Sequence, residues 1–317
     1  MVGRIYMFFD WRSRRVGSID TTEELANRIE NGSLLRLVIA YRSHGHSGAY
    51  LDPLDIMERK NVLALDPSRY GLTDPHKVYN LSGILHVNES KTDKSSRDEA
   101  PFGVIIEHLK KVYSGRIAYE FMHIPDASER RWFYHAVESW ERPAMTPEEK
   151  KRIFELLSRS EVFDHFMAKK FAQVKRYGLE GAESMMTALD RLFHVSSHAG
   201  VRDVVLGMPH RGRLNLLTDL LQYPSAALFH KVKGNSEFPL DVLGSGDVLS
   251  HIATTPTLDY GAAHKLKVSL LQNPSHLEAV NPVAMGKARA KQMEMMKTEK
   301  ECELGDRVMC VQLHGDA

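Results

Sequence analysis

Residues 203–215, DVVLGMPHRGRLN, constrain the fold of this chain more than any other stretch. The apolar run Val204, Val205, Leu206 has strand character, Gly207 and Pro209 end it, and LNLLTDLL then reads as a helix. Between strand and helix stand His210, Arg211 and Arg213. In open α/β sheets ligands collect outside the carboxyl ends of the strands, and a helix start adds free N–H groups and a positive dipole end. A basic turn in that position points to an anionic ligand. Pairing of Arg211 and Arg213 with surface carboxylates is the plainer alternative, and the residues by themselves leave both open.

Two later runs end in the same way. KVSLLQ (267–272) leads into Asn273, Pro274, Ser275 and His276, and VMCVQL (308–313) leads into His314, Gly315 and Asp316. Beyond Val201 such strand-like runs alternate with helical ones, which is the pattern of an α/β fold with a mostly parallel sheet. If the three strands are neighbours, His210, His276 and His314 meet on one edge, as an active site of this architecture requires. The order of strands is not contained in the pattern, and three unrelated polar histidines are the alternative. Between these units, 243–251 (LGSGDVLSH) supply a loop with Gly244, Ser245, Gly246, Asp247 and His251, without a P-loop or GxGxxG phosphate fingerprint.

The first half reads differently. Residues 21–46 form two helices broken at Asn31-Gly32, with Leu34, Leu35, Leu37, Val38 and Tyr41 at helical spacing. His44 and His46 bracket a glycine, but no further ligands complete a metal set, and a polar loop is expected. Residues 86–100 (HVNESKTDKSSRDEA) have the composition of an exposed loop. Residues 102–112 read as a helix and 115–124 (GRIAYEFMHI) as a strand. Residues 128–140 read as an amphipathic helix with Trp132, Phe133, Val137 and Trp140 toward the core. At 146, TPEE offers a capping hydroxyl, a first-turn proline and first-turn acids, a helix start that also marks a domain boundary. That helix is expected to run through KKRIFELLSRS, with a second beginning near Glu161. The expected organisation is an arm over 1–20, a mainly helical region over 21–145 and an α/β region over 146–317.

Composition excludes several classes. Lys plus Arg of 42 against Asp plus Glu of 41 leaves a formal charge of +1, so no global field draws the chain to nucleic acid or an anionic membrane. No apolar run approaches the roughly 18 to 20 residues of a membrane span. Two cysteines, Cys302 and Cys310, are too few for a disulfide framework and read as packing residues. The arginines at 4, 12, 14 and 15 around a short apolar patch faintly resemble an organellar transit segment.

At GMPHRGRLN, GSGDVLSH, NPSHLEAVNPVAMGK and LHGDA, in that order, the sequence resembles the thiamine-diphosphate-dependent decarboxylating component of the 2-oxoglutarate dehydrogenase family. KRYGLEGAESM, YEFMHI and the earlier HGH with LDPL carry the same resemblance, which covers about 35–317. Within the family, NSEFP, DVLSH and EAVNPVA look closer to the 2-oxoadipate dehydrogenase branch. The resemblance implies a helical N-terminal region followed by the first part of a mostly parallel thiamine-diphosphate-binding α/β domain. It implies oxidative decarboxylation of a 2-oxo dicarboxylic acid, 2-oxoadipate or 2-oxoglutarate, with transfer of the acyl group to the lipoyl group of a partner acyltransferase. It further implies a homodimer in mitochondria, without nucleic acid as a partner. By motif position, Arg211 and His314 would serve thiamine diphosphate, and Asp316 would hold Mg²⁺ and with it the diphosphate. His210 and His276 would face the substrate as hydrogen-bond donors and proton carriers, and Asn281 would help select substrate length.

The family's metal motif begins with Gly-Asp and closes with an asparagine pair some tens of residues later, whereas this sequence ends just after Gly315-Asp316. The resemblance therefore implies an incomplete, inactive N-terminal fragment. The alternative is a non-catalytic partner-binding module or competing subunit.

Overall fold

Thr21 opens the first helix with a capping box. Its hydroxyl accepts from the Glu24 amide at 3.1 Å while the Glu24 carboxylate accepts from the Thr21 amide at 2.7 Å. The computed structural model describes residues 20–52, 54–58, 61–87, 99–139, 144–236, 238, 241–242, 248–272 and 278–315. The chain divides into two units, Met1–Pro143 and Ala144–Ala317. The arginine-rich stretch before Asp20 lies outside the described residues.

In the first unit α1 (Thr22–Glu30) and α2 (Gly32–His44) break at Asn31 as the sequence indicates. A short antiparallel pair follows, β1 (Val78–Asn80) with β2 (Glu99–Pro101), then α3 (Phe102–Tyr113) and α4 (Ala127–Glu138). The core gathers Leu34, Leu37, Val38 and Tyr41 from α2 with Ile105, Leu109 and Tyr113 from α3. Gly45, between the two histidines, is a packing residue, because a Cβ there would lie 2.5 Å from the Cβ of Tyr113.

Three expectations are corrected here. Residues 115–124 form no strand; Phe121 is buried, and the carbonyls of Ile124 and Pro125 accept from the Arg130 guanidinium instead of a ladder. The loop expected over 86–100 includes Glu99 and Ala100, which are strand residues of β2, while 88–98 lie outside the described residues. On α4, Phe133 is 38% exposed and Trp132 half-buried; Val137 packs on the core, and Trp140 is not among the described residues.

The buried residue of α4 is Glu138. Its carboxylate accepts from Arg42 Nε at 2.7 Å and a second Arg42 nitrogen at 3.0 Å, from the Tyr113 hydroxyl at 2.6 Å and from the His86 amide at 3.1 Å. Arg42 also donates to the Ile84 carbonyl at 2.8 Å and stacks on Tyr134 at 3.8 Å. Every charge in this buried pair is thus hydrogen-bonded, which makes its burial tolerable.

The second unit begins with α5 (Pro147–Lys170), opened by a capping box between Thr146 and Glu149. It is one continuous helix and not the two expected. No glycine or proline interrupts it after Pro147, and buried Ser160 accepts from the Asn215 amide at mid-length. Then come α6 (Ser184–His198), β3 (Asp203–Gly207), α7 (Arg213–Asp219), α8 (Ser225–Val232), β4 (Thr257–Leu258), β5 (Leu266–Leu270), α9 (Val280–Thr298) and β6 (Val308–Gln312). The four strands form one sheet in the order β4-β5-β3-β6. β3 is central, buried at all five residues, and parallel to both β5 and β6, whereas β4 runs antiparallel to β5. The α/β expectation with a mostly parallel sheet therefore holds.

α9 covers this sheet through Val280, Ala284 and Ala288, which are buried; the alanines pack in one cluster with Val205 and Val308. Their small side chains let the helix lie close to β3. A Cβ on Gly207 would already be 3.4 Å from that of Ala284.

Candidate functional site at the carboxyl edge of the sheet

Because β5, β3 and β6 are adjacent and parallel, their carboxyl ends share one edge. Pairing continues past the strands, with Leu271 N donating to Leu206 O at 3.0 Å and Leu313 N to Gly207 O at 2.9 Å. The three runs singled out in the sequence therefore leave the sheet side by side.

From β3 the chain turns through His210 and Arg211 to Gly212, whose φ of +71° opens α7. A Cβ on Gly212 would sit 2.4 Å from Leu179 Cδ1, so only glycine fits the turn. Gly212 N donates to Tyr177 O at 2.8 Å, and the Tyr177 ring packs against His210 with centroids 4.8 Å apart. Tyr177 itself has φ +45°. His210 is half-buried, and Arg211 is exposed with no ion-pair partner among the described residues.

Arg213 corrects an expectation. It is fully buried, and it meets carbonyls rather than open solvent: Nε and Nη2 donate to Ile252 O at 3.1 and 2.7 Å, and Nη2 also reaches Leu271 O. Burial brings its pKa down to about 10.

His314 lies two residues past β6, exposed, with Nε2 3.4 Å from Glu278 and Nδ1 2.7 Å from the Gly315 carbonyl. Gln312 donates to the Asn281 carbonyl at 3.2 Å, which brings the first turn of α9 to the same edge. That helix start carries no side-chain cap among the described residues; Asn281 N donates to the Glu278 carbonyl at 3.0 Å and Pro282 has no N–H. The Asn281 amide oxygen is buried and has no hydrogen-bond partner among the described residues. His276, Asp316 and the loop 243–247 lie outside the described residues.

Beside the end of β5 opens a cleft of about 500 Å³ lined by His251, Thr255, Leu271, Gln272, Val283 and Lys287. Its ionisable lining residues are a histidine and a lysine, with no acid among them. Tyr177, Lys287 and the clamp made by Arg213 were not found by reading the sequence. Gly178, directly after Tyr177, is the one signal for the first, as glycine marks turns.

The described part of this parallel α/β edge thus carries two imidazoles, those of His210 and His314, and the exposed guanidinium of Arg211. The sequence matches no protein-family model. It is 45% identical over 289 residues to the 2-oxoadipate dehydrogenase complex component E1 of Danio rerio, covering 90% of this chain and 30% of that protein. It is 39% identical over 315 residues to the component of the same name from Homo sapiens, covering 98% of this chain and 33% of that protein. With the 2-oxoglutarate dehydrogenase E1 component of Brucella canis it shares 38% over 306 residues, 94% of this chain and 29% of that protein. The chain is thus homologous, along nearly all its length, to E1 components of 2-oxoadipate and 2-oxoglutarate dehydrogenases, and spans about a third of the length of these curated relatives.

Proposed function

We propose that the carboxyl edge of β5, β3 and β6 serves the oxidative decarboxylation of a 2-oxo dicarboxylic acid, 2-oxoadipate or 2-oxoglutarate, with thiamine diphosphate and Mg²⁺. The observation that supports this reading is that the strands leading into His210, Arg211 and His314 end side by side, in a chain similar to named E1 components. In this reading residues 146–317 belong to the diphosphate-binding α/β domain and 21–145 to a helical region. The acyl group passes to the lipoyl group of a partner acyltransferase, and the protein works as a mitochondrial homodimer.

The residues fit the anionic part of the cofactor. Arg211 is exposed and has no carboxylate partner among the described residues, which leaves its guanidinium available to a diphosphate. Among the described residues no three His, Cys, Asp or Glu side chains gather as a metal site. The proposed Mg²⁺ ligand, Asp316, is outside them. Thiamine diphosphate, when bound, supplies the nucleophilic carbon and the electron sink. His210, held against Tyr177, donates from its ring to the substrate carboxylate and carries a proton, with His276 as its counterpart. His314 lines the cofactor side. The unpartnered Asn281 oxygen is an acceptor reserved for a ligand and contributes to the choice of substrate length.

The test is CO₂ release by the gene product that contains this chain, with thiamine diphosphate and Mg²⁺ present. Turnover of 2-oxoadipate at least as fast as that of 2-oxoglutarate is expected, and His210→Ala should lower kcat by about 10²–10⁴-fold. No release from either acid, or full activity in His210→Ala, contradicts the reading.

A further inference from the structure

Arg213 is the largest of the fully buried side chains, and no carboxylate neutralises it among the described residues. A buried cation without a counter-charge is expensive, and an apolar side chain of similar volume avoids that cost. What the guanidinium gains is a bridge. It starts from the first residue of α7, next to the His210 turn, and reaches two separate carbonyls, Ile252 O and Leu271 O. Ile252 directly follows the 3-10 turn Leu249–His251, and Leu271 directly follows β5. These two segments carry His251, Leu271 and Gln272, which are walls of the cleft. Nη1 of Arg213 is buried and has no partner among the described residues, so the bridge uses Nε and Nη2 alone.

We propose that Arg213 is a positioning residue, which fixes the His251 turn and the end of β5 at a set distance from the His210 turn and thereby shapes the ligand cleft. The bridge itself is independent of the function proposed above; its chemical purpose rests on that reading.

The experiment compares Arg213→Met and Arg213→Lys with the parent 317-residue chain by amide hydrogen exchange and by calorimetry with thiamine diphosphate and Mg²⁺. The parent protects the amides of His251, Ile252, Thr254, Leu270 and Leu271 through hydrogen bonds to Val248, Leu249, Leu270, Thr254 and Leu206. Exchange at these positions should quicken at least ~10-fold in Arg213→Met, whose side chain has no donor, while α5 and α6 stay within ~2-fold of the parent. Arg213→Lys, whose single ammonium can still donate to both carbonyls as Nη2 does, should fall between Arg213→Met and the parent. Unchanged exchange at the cleft walls overturns the proposal, and so does an equal rise throughout the chain, the mark of a purely structural residue. Ligand binding by the parent that is retained in both variants also overturns it. A parent chain that binds no thiamine diphosphate accords with the incomplete metal motif of the 317 residues, and the exchange result then decides the role of Arg213.

Discussion

Arg211 and Arg213 stand two residues apart on the same basic turn and meet opposite environments, one exposed and without an ion-pair partner among the described residues, the other fully buried against carbonyls. Gly212 between them makes this possible through its left-handed backbone. Replacing it with alanine combines positive φ with a 2.4 Å contact to Leu179, and should cost about 1–3 kcal/mol, read as a lower urea midpoint. Sequence pattern placed cations on the turn but could not tell which one faces outward, since that depends on one glycine dihedral and on carbonyls 39 and 58 residues away. Histidines outside the edge carry a separate signature. Burial lowers the pKa of His108, and that of His194 likewise, with His198 adding to the second. The unfolded chain then binds more protons than the folded one just below pH 6.5, so stability should fall as pH drops from about 6.5 toward the depressed folded values. Urea titrations between pH 7.5 and 5 should show this slope, and His108→Gln should flatten it; an unchanged slope excludes His108 as a source.

At the scale of elements, the helices with strong end signals were legible: the break at Asn31, the capping box at Thr146 and the helix from Phe102 all stand where the sequence put them. The failures share a cause. Residues 115–124 have strand composition, but their end is held by Arg130 through the Ile124 carbonyl and their start by Tyr50 N through the Gly115 carbonyl, and Glu138 is polar at the buried position of α4 because Arg42 comes from α2 to meet it. Such partners lie far away in sequence and leave no periodic trace. Glu138→Leu leaves Arg42 buried without its charge partner and should cost about 3–5 kcal/mol, while Arg42→Met together with Glu138→Leu should recover most of the loss. Thermal unfolding of the single and double variants measures this, and additivity of the two single effects would contradict coupling between α2 and α4.

At the scale of the whole molecule, the sequence holds three strand-like runs that lead into histidines and no pattern that orders them. The order β4-β5-β3-β6 supplies the missing relation, putting all three ends on one edge. The motif resemblance and the identities of 38–45% agree that the chain is similar to E1 components over about a third of their length. Among the described residues no helix is long and apolar enough to cross a membrane. The proposal that this edge receives thiamine diphosphate and a 2-oxo acid is tested by histidine-selective NMR of the gene product that contains this chain. Titration with thiamine diphosphate, Mg²⁺ and 2-oxoadipate should shift the ring signals of His210, His276 and His314 and leave those of His108, His194 and His198 in place. Signals at the edge that do not move at millimolar ligand, or movement confined to the histidines away from it, would contradict the account.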